Sequence, residues 1–150
     1  MRRFLLAAFA FAGPGLALAQ EFTSPLDVVS TLYGTYFLNV PVRDITPYFS
    51  DDLTDRLGGT VIGHEQFRHA GFDPLTGRLD WAPRGFRLSL LSQAGSTAQV
   101  RADFQDGANA ISVTYDLVRE EPHGWQIDHI AGKAGDLSWC SNSILSMIAP

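Results

Sequence analysis

From Phe86 onward apolar and polar residues alternate with a period of two, whereas the chain before it carries its apolar residues at helical spacing. Helices are therefore predicted first and strands afterwards. The clearest signal runs from Ala110 to Ala131. Ile111, Val113, Tyr115 and Leu117 alternate with polar neighbours, Glu120-Glu121-Pro122-His123-Gly124 interrupts them, and the pattern resumes at Trp125 and Ile127. That is the signature of a half-buried hairpin. Upstream, Phe86, Leu88 and Leu90 alternate with Arg87 and Ser89, a turn falls at Gln93 to Ser96, and Ala98, Val100, Ala102 and Phe104 alternate with Gln99, Arg101 and Asp103. Asp106-Gly107 supplies the next turn. Four strands joined by short turns imply an antiparallel meander.

In the first half, Ser24 is placed to cap a helix, with Pro25 at its first position and Asp27 near the positive end of its dipole. Leu26, Val29, Tyr33, Tyr36 and Phe37 define its buried face, and the helix is expected to end near Asn39, ahead of Pro41. Gly34 inside it costs about 1 kcal/mol relative to alanine, which suggests close approach of another element. Asp44 to Leu57 reads as one or two helical turns capped by Ser50, with Leu53 and Leu57 buried and Gly58-Gly59 as the stop. A further turn is expected over Glu65 to Ala70, then a loop from Phe72 to Gly85. Leu137, Cys140, Ile144, Leu145 and Ile148 share one side of a predicted C-terminal helix. The expected class is α+β: N-terminal helices packed on a curved, cone-shaped antiparallel sheet of about four strands, with a short C-terminal helix.

Residues 1–19 have the form of a secretory signal. Arg2 and Arg3 precede the apolar run Phe4 to Ala12, and Ala17-Leu18-Ala19 forms a small-x-small cleavage site. The run is shorter than the about 20 residues needed to span a bilayer. The mature chain, 20–150, is then expected to be one periplasmic or secreted domain. Loss of Arg2 and Arg3 from 11 basic residues, against 16 acidic ones, brings the net charge to about −7. That balance, with no basic stripe, argues against nucleic acid as a partner. The single cysteine, Cys140, cannot form a disulfide within the chain.

Helix-first order, the closing strands and a last strand reading Trp125-Gln126-Ile127-Asp128-His129-Ile130 resemble the nuclear-transport-factor-two-like, or cystatin-like, superfamily. More narrowly, Asp73-Pro74-Leu75 followed by Asp80-Trp81, then Thr114-Tyr115-Asp116-Leu117-Val118-Arg119 and Trp125-x-Ile127-Asp128, resemble the bacterial envelope proteins grouped as domain of unknown function 3828. The resemblance implies a cavity between sheet and helices and, for many members of the superfamily, a homodimer formed through the sheet. The narrower family carries no agreed activity, so it assigns no catalytic residue.

Five residues form the candidate ligand-binding set: His129, Asp73, Asp80, Trp81 and Tyr115. His129 shares parity with Trp125 and Ile127 and is expected on the buried side, where an imidazole can serve as acid, base or ligand. Asp73 and Asp80 bracket the loop containing Gly77, each with an architectural alternative as a turn or cap residue. Trp81 lies beside Asp80, and Tyr115 faces the core from its strand.

His64-Glu65-Gln66-Phe67-Arg68-His69 does not have zinc-peptidase geometry, because its histidines are five residues apart rather than four. No nucleophile elbow, phosphate loop, metal motif or cofactor motif is present. Cys140 is expected as a small buried thiol and Trp139 as a ring folded back over the sheet. The function expected from these features is binding of a small ligand or a protein partner without catalysis, as an envelope accessory or toxin-neutralising partner. The rival is a cofactor-free isomerase or hydratase using a cavity Asp or His. Convergence of His129 with Asp73 or Asp80 would favour the rival.

Overall fold

The computed structural model describes residues 21–38, 43–59, 61–79 and 84–148. The expected leader, Asn39, Asp80, Trp81, and the side chains of Ile144, Leu145 and Ile148 lie outside them. Among the described residues, four helices and five strands follow in order: α1 Pro25–Phe37, α2 Asp51–Arg56, α3 His64–Ala70, β1 Arg84–Ala94, β2 Thr97–Asp106, β3 Asn109–Glu120, β4 Gly124–Ala134, β5 Leu137–Cys140 and α4 Ser141–Ile148. A single 3-10 turn, Thr46–Tyr48, precedes α2. The class is α+β, and the strands form one antiparallel sheet in sequence order.

α1 forms as its sequence dictates. Ser24 Oγ accepts from Leu26 N and Pro25 occupies the first turn. Its buried face, however, is Val28, Val29, Leu32 and Tyr33, while Leu26 and Tyr36 are half-buried and Phe37 is 53% exposed. The expected stripe is thus rotated toward Val28 and Leu32. Gly34 has nothing within 4 Å of where a side chain would begin, so it marks no close approach. α2 is capped by Ser50, whose Oγ accepts from Leu53 N at 3.0 Å.

The alternation in β2 and β3 translates directly into two faces. Ala98, Val100, Ala102 and Phe104 meet Leu117, Tyr115, Val113 and Ile111 in register on the core side. Gln99, Arg101 and Asp103 point the other way with Asp116, Thr114 and Ser112. On β4 the regular pattern breaks. Asp116 pairs with His129 and Leu117 with Ile127, leaving Asp128 as an extra residue. Such a bulge reverses the parity of everything beyond it, so Ile130 rather than His129 takes the core side opposite Tyr115.

Leu137 to Cys140 form a strand, not the first turn of the C-terminal helix. Gly135, at φ 59°, turns the chain back so that Lys133 pairs with Ser138 and Gly132 with Trp139. This fifth strand places Trp139, 6% exposed, against Gly132. The ring folds back over the sheet as expected, but from a strand.

Candidate functional site

The loop after α3 is held inside the protein rather than over it. Asp73, Leu75 and Thr76 are buried, and three hydrogen bonds, two of them from other elements, tie down the loop backbone. Trp139 Nε1 donates to Pro74 O at 2.9 Å, Tyr33 Oη donates to Leu75 O at 2.6 Å, and Gly77 N donates to Asp73 O at 2.7 Å. Gly77, at φ 73°, lies under the same indole, and a Cβ there would come within 2.8 Å of it. Buried carbonyls require such partners, and the network meets that demand from β5 and α1.

Asp73 sits at the centre of this arrangement. Its Oδ1 accepts from Leu75 N at 2.8 Å, closing an Asx turn, and its Oδ2 accepts from Tyr36 Oη at 2.9 Å. The residue is 4% exposed. Burial pushes its pKa up to about 7, against the opposing pull of the Leu75 and Tyr36 hydrogen bonds. Beyond it, Tyr115 Oη donates to Tyr33 Oη at 2.8 Å, and the two rings meet edge to face at 6.2 Å. Burial raises the pKa of Tyr33, Tyr36 and Tyr115 well above that of a free phenol. The ring of His64 packs edge-on against Tyr36 at 4.8 Å, and burial followed by repulsion from Arg68 lowers its pKa.

The structure therefore brings Asp73 and Tyr115 into one buried network and leaves His129 out of it. The bulge at Asp128 turns His129 off the core side, and its Nδ1 lies 2.5 Å from Ser141 Oγ at the start of α4. Among the described residues no hydrogen bond or ion pair joins His129 to Asp73. Asp80 and Trp81 lie outside the described residues. Arg78 pairs with Asp106 at 2.8 Å, a charge contact out of hydrogen-bond alignment, and not with Asp73. Tyr33, Tyr36 and His64 belong to the network yet carried no distinguishing mark in the sequence. Helical spacing shows that a tyrosine faces inward, but not that its hydroxyl meets a loop carbonyl 42 residues away.

What the buried network can do chemically is limited by how completely it is filled. Tyr33 and Tyr115 have no exposed surface, and their hydroxyls are spent on each other and on Leu75 O. The side of the sheet facing away from α1 is different. Arg87, Asp103, Ser112 and Lys133 are register partners on four consecutive strands and line an open groove of about 630 Å³. Asp103 is satisfied within it, by Arg101 Nε at 2.8 Å on Oδ2 and by Ser112 Oγ at 2.8 Å on Oδ1. Arg87 and Lys133 flank that carboxylate with no ion-pair partner among the described residues. Comparison with protein-family models, with curated proteins and with solved structures finds no match to the chain.

Proposed function

We propose that the chain is a non-catalytic binding domain of the periplasm or cell exterior, and that the groove across its sheet takes a small ligand or partner group bearing an anion. The expected leader at residues 1–19 and the resemblance to envelope proteins support the location. The resemblance also supports a sheet that curves round α1 as a cone. One observation carries the reading of the site: Arg87 and Lys133 face the groove as cations without counter-charges among the described residues, while Asp103 between them is already neutralised by Arg101. A groove of this size suits a ligand of ordinary dimensions, and unpaired guanidinium and ammonium groups favour a carboxylate or phosphate.

The test is native purification from the envelope fraction, followed by mass spectrometry of what is released on denaturation. An anionic compound is expected with the wild-type protein and its loss with Arg87→Gln/Lys133→Gln. Equal retention by both proteins would sink the reading. A homodimer through the sheet would close the groove, so sedimentation is expected to show a monomer.

A second reading, a cofactor-free isomerase or hydratase, is favoured by Asp73, whose pKa of about 7 suits general acid or base work near neutrality. It requires a substrate to displace the tyrosines packed beside that carboxyl. Under it, Asp73→Asn keeps ligand binding and loses turnover; under the binding reading the same change leaves ligand retention as it was.

A further inference from the structure

A second concavity, of about 400 Å³, lies where the chain before α1 and the chain before α2 both run along β4. Phe22 bridges to Gly124 and Phe49 to Ile127, so the segments bearing Phe22 and Tyr48 stand as walls over the side chain of Gln126. The Phe22 wall is held by two backbone hydrogen bonds, from Phe22 N to His123 O at 3.3 Å and from Trp125 N to Phe22 O at 2.9 Å, and it runs so close to Gly124 that a Cβ there would fall 2.3 Å from Phe22 O. Gln126 is 5% exposed, and its Oε1 is buried with no hydrogen-bond partner among the described residues. A buried carbonyl left without a donor costs about 1–3 kcal/mol.

The surroundings define the missing donor. Asp44, Asp51 and His123 line the pocket, and Glu120 adjoins it by accepting from Asp51 N at 3.3 Å. Asp44 spends Oδ1 on Thr46 N and Oγ1. Neither Asp44, Asp51 nor Glu120 has an ion-pair partner among the described residues, since Arg56 is taken by Asp52 and Asp128 and Arg119 by Glu121. The rings of Phe22 and Tyr48, 5.6 Å apart, supply apolar and π surface beside these charges. Among the described residues no three acidic, histidine or cysteine side chains are grouped as metal ligands. Diffuse negative charge, aromatic faces and one unpaired carbonyl suit an organic cation better than an inorganic one.

We infer that this pocket binds a primary alkylammonium group, which donates to Gln126 Oε1 and faces Asp44 and Asp51 while its methylenes lie against Phe22 and Tyr48. An ammonium brings three donors on a flexible apolar stem, matching both halves of the lining. The site is separate from the sheet groove and does not depend on the function assigned there.

The experiment is a titration of the full chain with n-butylammonium chloride, followed by amide chemical shifts, with n-butanol at matched salt as the neutral control. Saturable shifts are expected at Phe22, Tyr48, Asp51 and Gln126 with the amine and not with the alcohol. Asp51→Asn, on the exposed start of α2, is expected to weaken binding severalfold. Gln126→Met is expected to weaken it about tenfold, the effect of losing one hydrogen bond to a charged group; it also removes the unpaired carbonyl, so its melting temperature will not fall. Tighter binding of 1,4-diaminobutane than of a lysine-containing peptide would support a free amine as ligand, and the reverse order a lysine of a protein partner. Equal responses to amine and alcohol, or unchanged affinity in both variants, would overturn the assignment.

Discussion

The indole of Trp139 occupies the space that a side chain on Gly132, its register partner across β4 and β5, would need: a Cβ there would lie 2.0 Å from Trp139 Cε2. Even one methyl group therefore displaces the ring. With the ring go the hydrogen bond from its Nε1 to Pro74 O, its edge-to-face packing on Phe72 and its cover over Gly77. Overpacking a well-filled site costs about 1–3 kcal/mol. Gly132→Ala is expected to reach the upper end of that range in urea unfolding and to loosen the loop bearing Asp73, read as faster amide exchange at Leu75 and Gly77.

The two central tyrosines carry unequal loads, although both are fully buried. Tyr33 Oη donates to Leu75 O and accepts from Tyr115 Oη, whereas Tyr115 only donates. Tyr33→Phe thus strands a loop carbonyl and a phenol together, at about 1–3 kcal/mol for each buried group left unpaired. Tyr115→Phe removes a donor and leaves Tyr33 still bonded to Leu75. The first change is expected to destabilise more than the second, and the double variant to cost less than their sum. Equal costs in chemical denaturation would mean that the hydroxyl order inferred here is wrong.

How far the sequence could be read depended on whether the deciding interaction was local. The alternation of Ala98 to Phe104 and Ile111 to Leu117 places the core side of β2 and β3 without any coordinates, because a strand's two faces follow from its own residues. Ser50 is likewise legible as a cap. His129 is not, because the extra residue at Asp128 is bonded to Ser50 and Arg56, far back in the chain, and the run Trp125, Ile127, His129 looks regular in the sequence alone. Leu137 to Cys140 fit a strand or a helical turn equally well over four residues, so the fifth strand could not be read. Asp73 was legible as a turn-forming acid. Its burial was not, since that depends on Trp139 and Tyr33 reaching the loop from distant parts of the chain.

Asp73 should leave a recognisable mark on stability against pH. Its pKa is raised from 3.8 in the unfolded chain to about 7 in the folded protein. Between those values the folded state holds a proton that the unfolded state has released, so this contribution is full below about pH 4 and is lost as pH rises through 7. His64 acts in the opposite sense: its pKa is lowered on folding, so its contribution is present above 6.5 and is lost as pH falls. Asp73→Asn is expected to abolish the decline between pH 4 and 7 and to expose the His64 limb alone, measured as the urea midpoint at each pH. An unchanged profile would place the Asp73 carboxyl in contact with water.

The bulge itself can be tested through the helix that holds it. Ser50 Oγ accepts from Leu53 N as the α2 cap and donates to Asp128 Oδ1 at 2.7 Å, and Ser50 N donates to Ile127 O at 2.9 Å. Arg56 reaches Asp128 O at 2.8 Å from the other end of α2. Removing the serine hydroxyl costs about 1–2 kcal/mol for the cap, with a further loss for the Asp128 bond. Deleting Asp128 restores unbroken alternation, with Ile127 and Ile130 still on the core side and His129 still off it. The deletion is therefore expected to keep the pairing of β3 with β4, seen as unchanged cross-strand proton contacts between Tyr115 and Ile130. It forfeits only the ties to α2. Ser50→Ala in that background is then expected to cost no more than the cap alone. A cost as large as in the full chain would show that Asp128 does not couple α2 to the sheet.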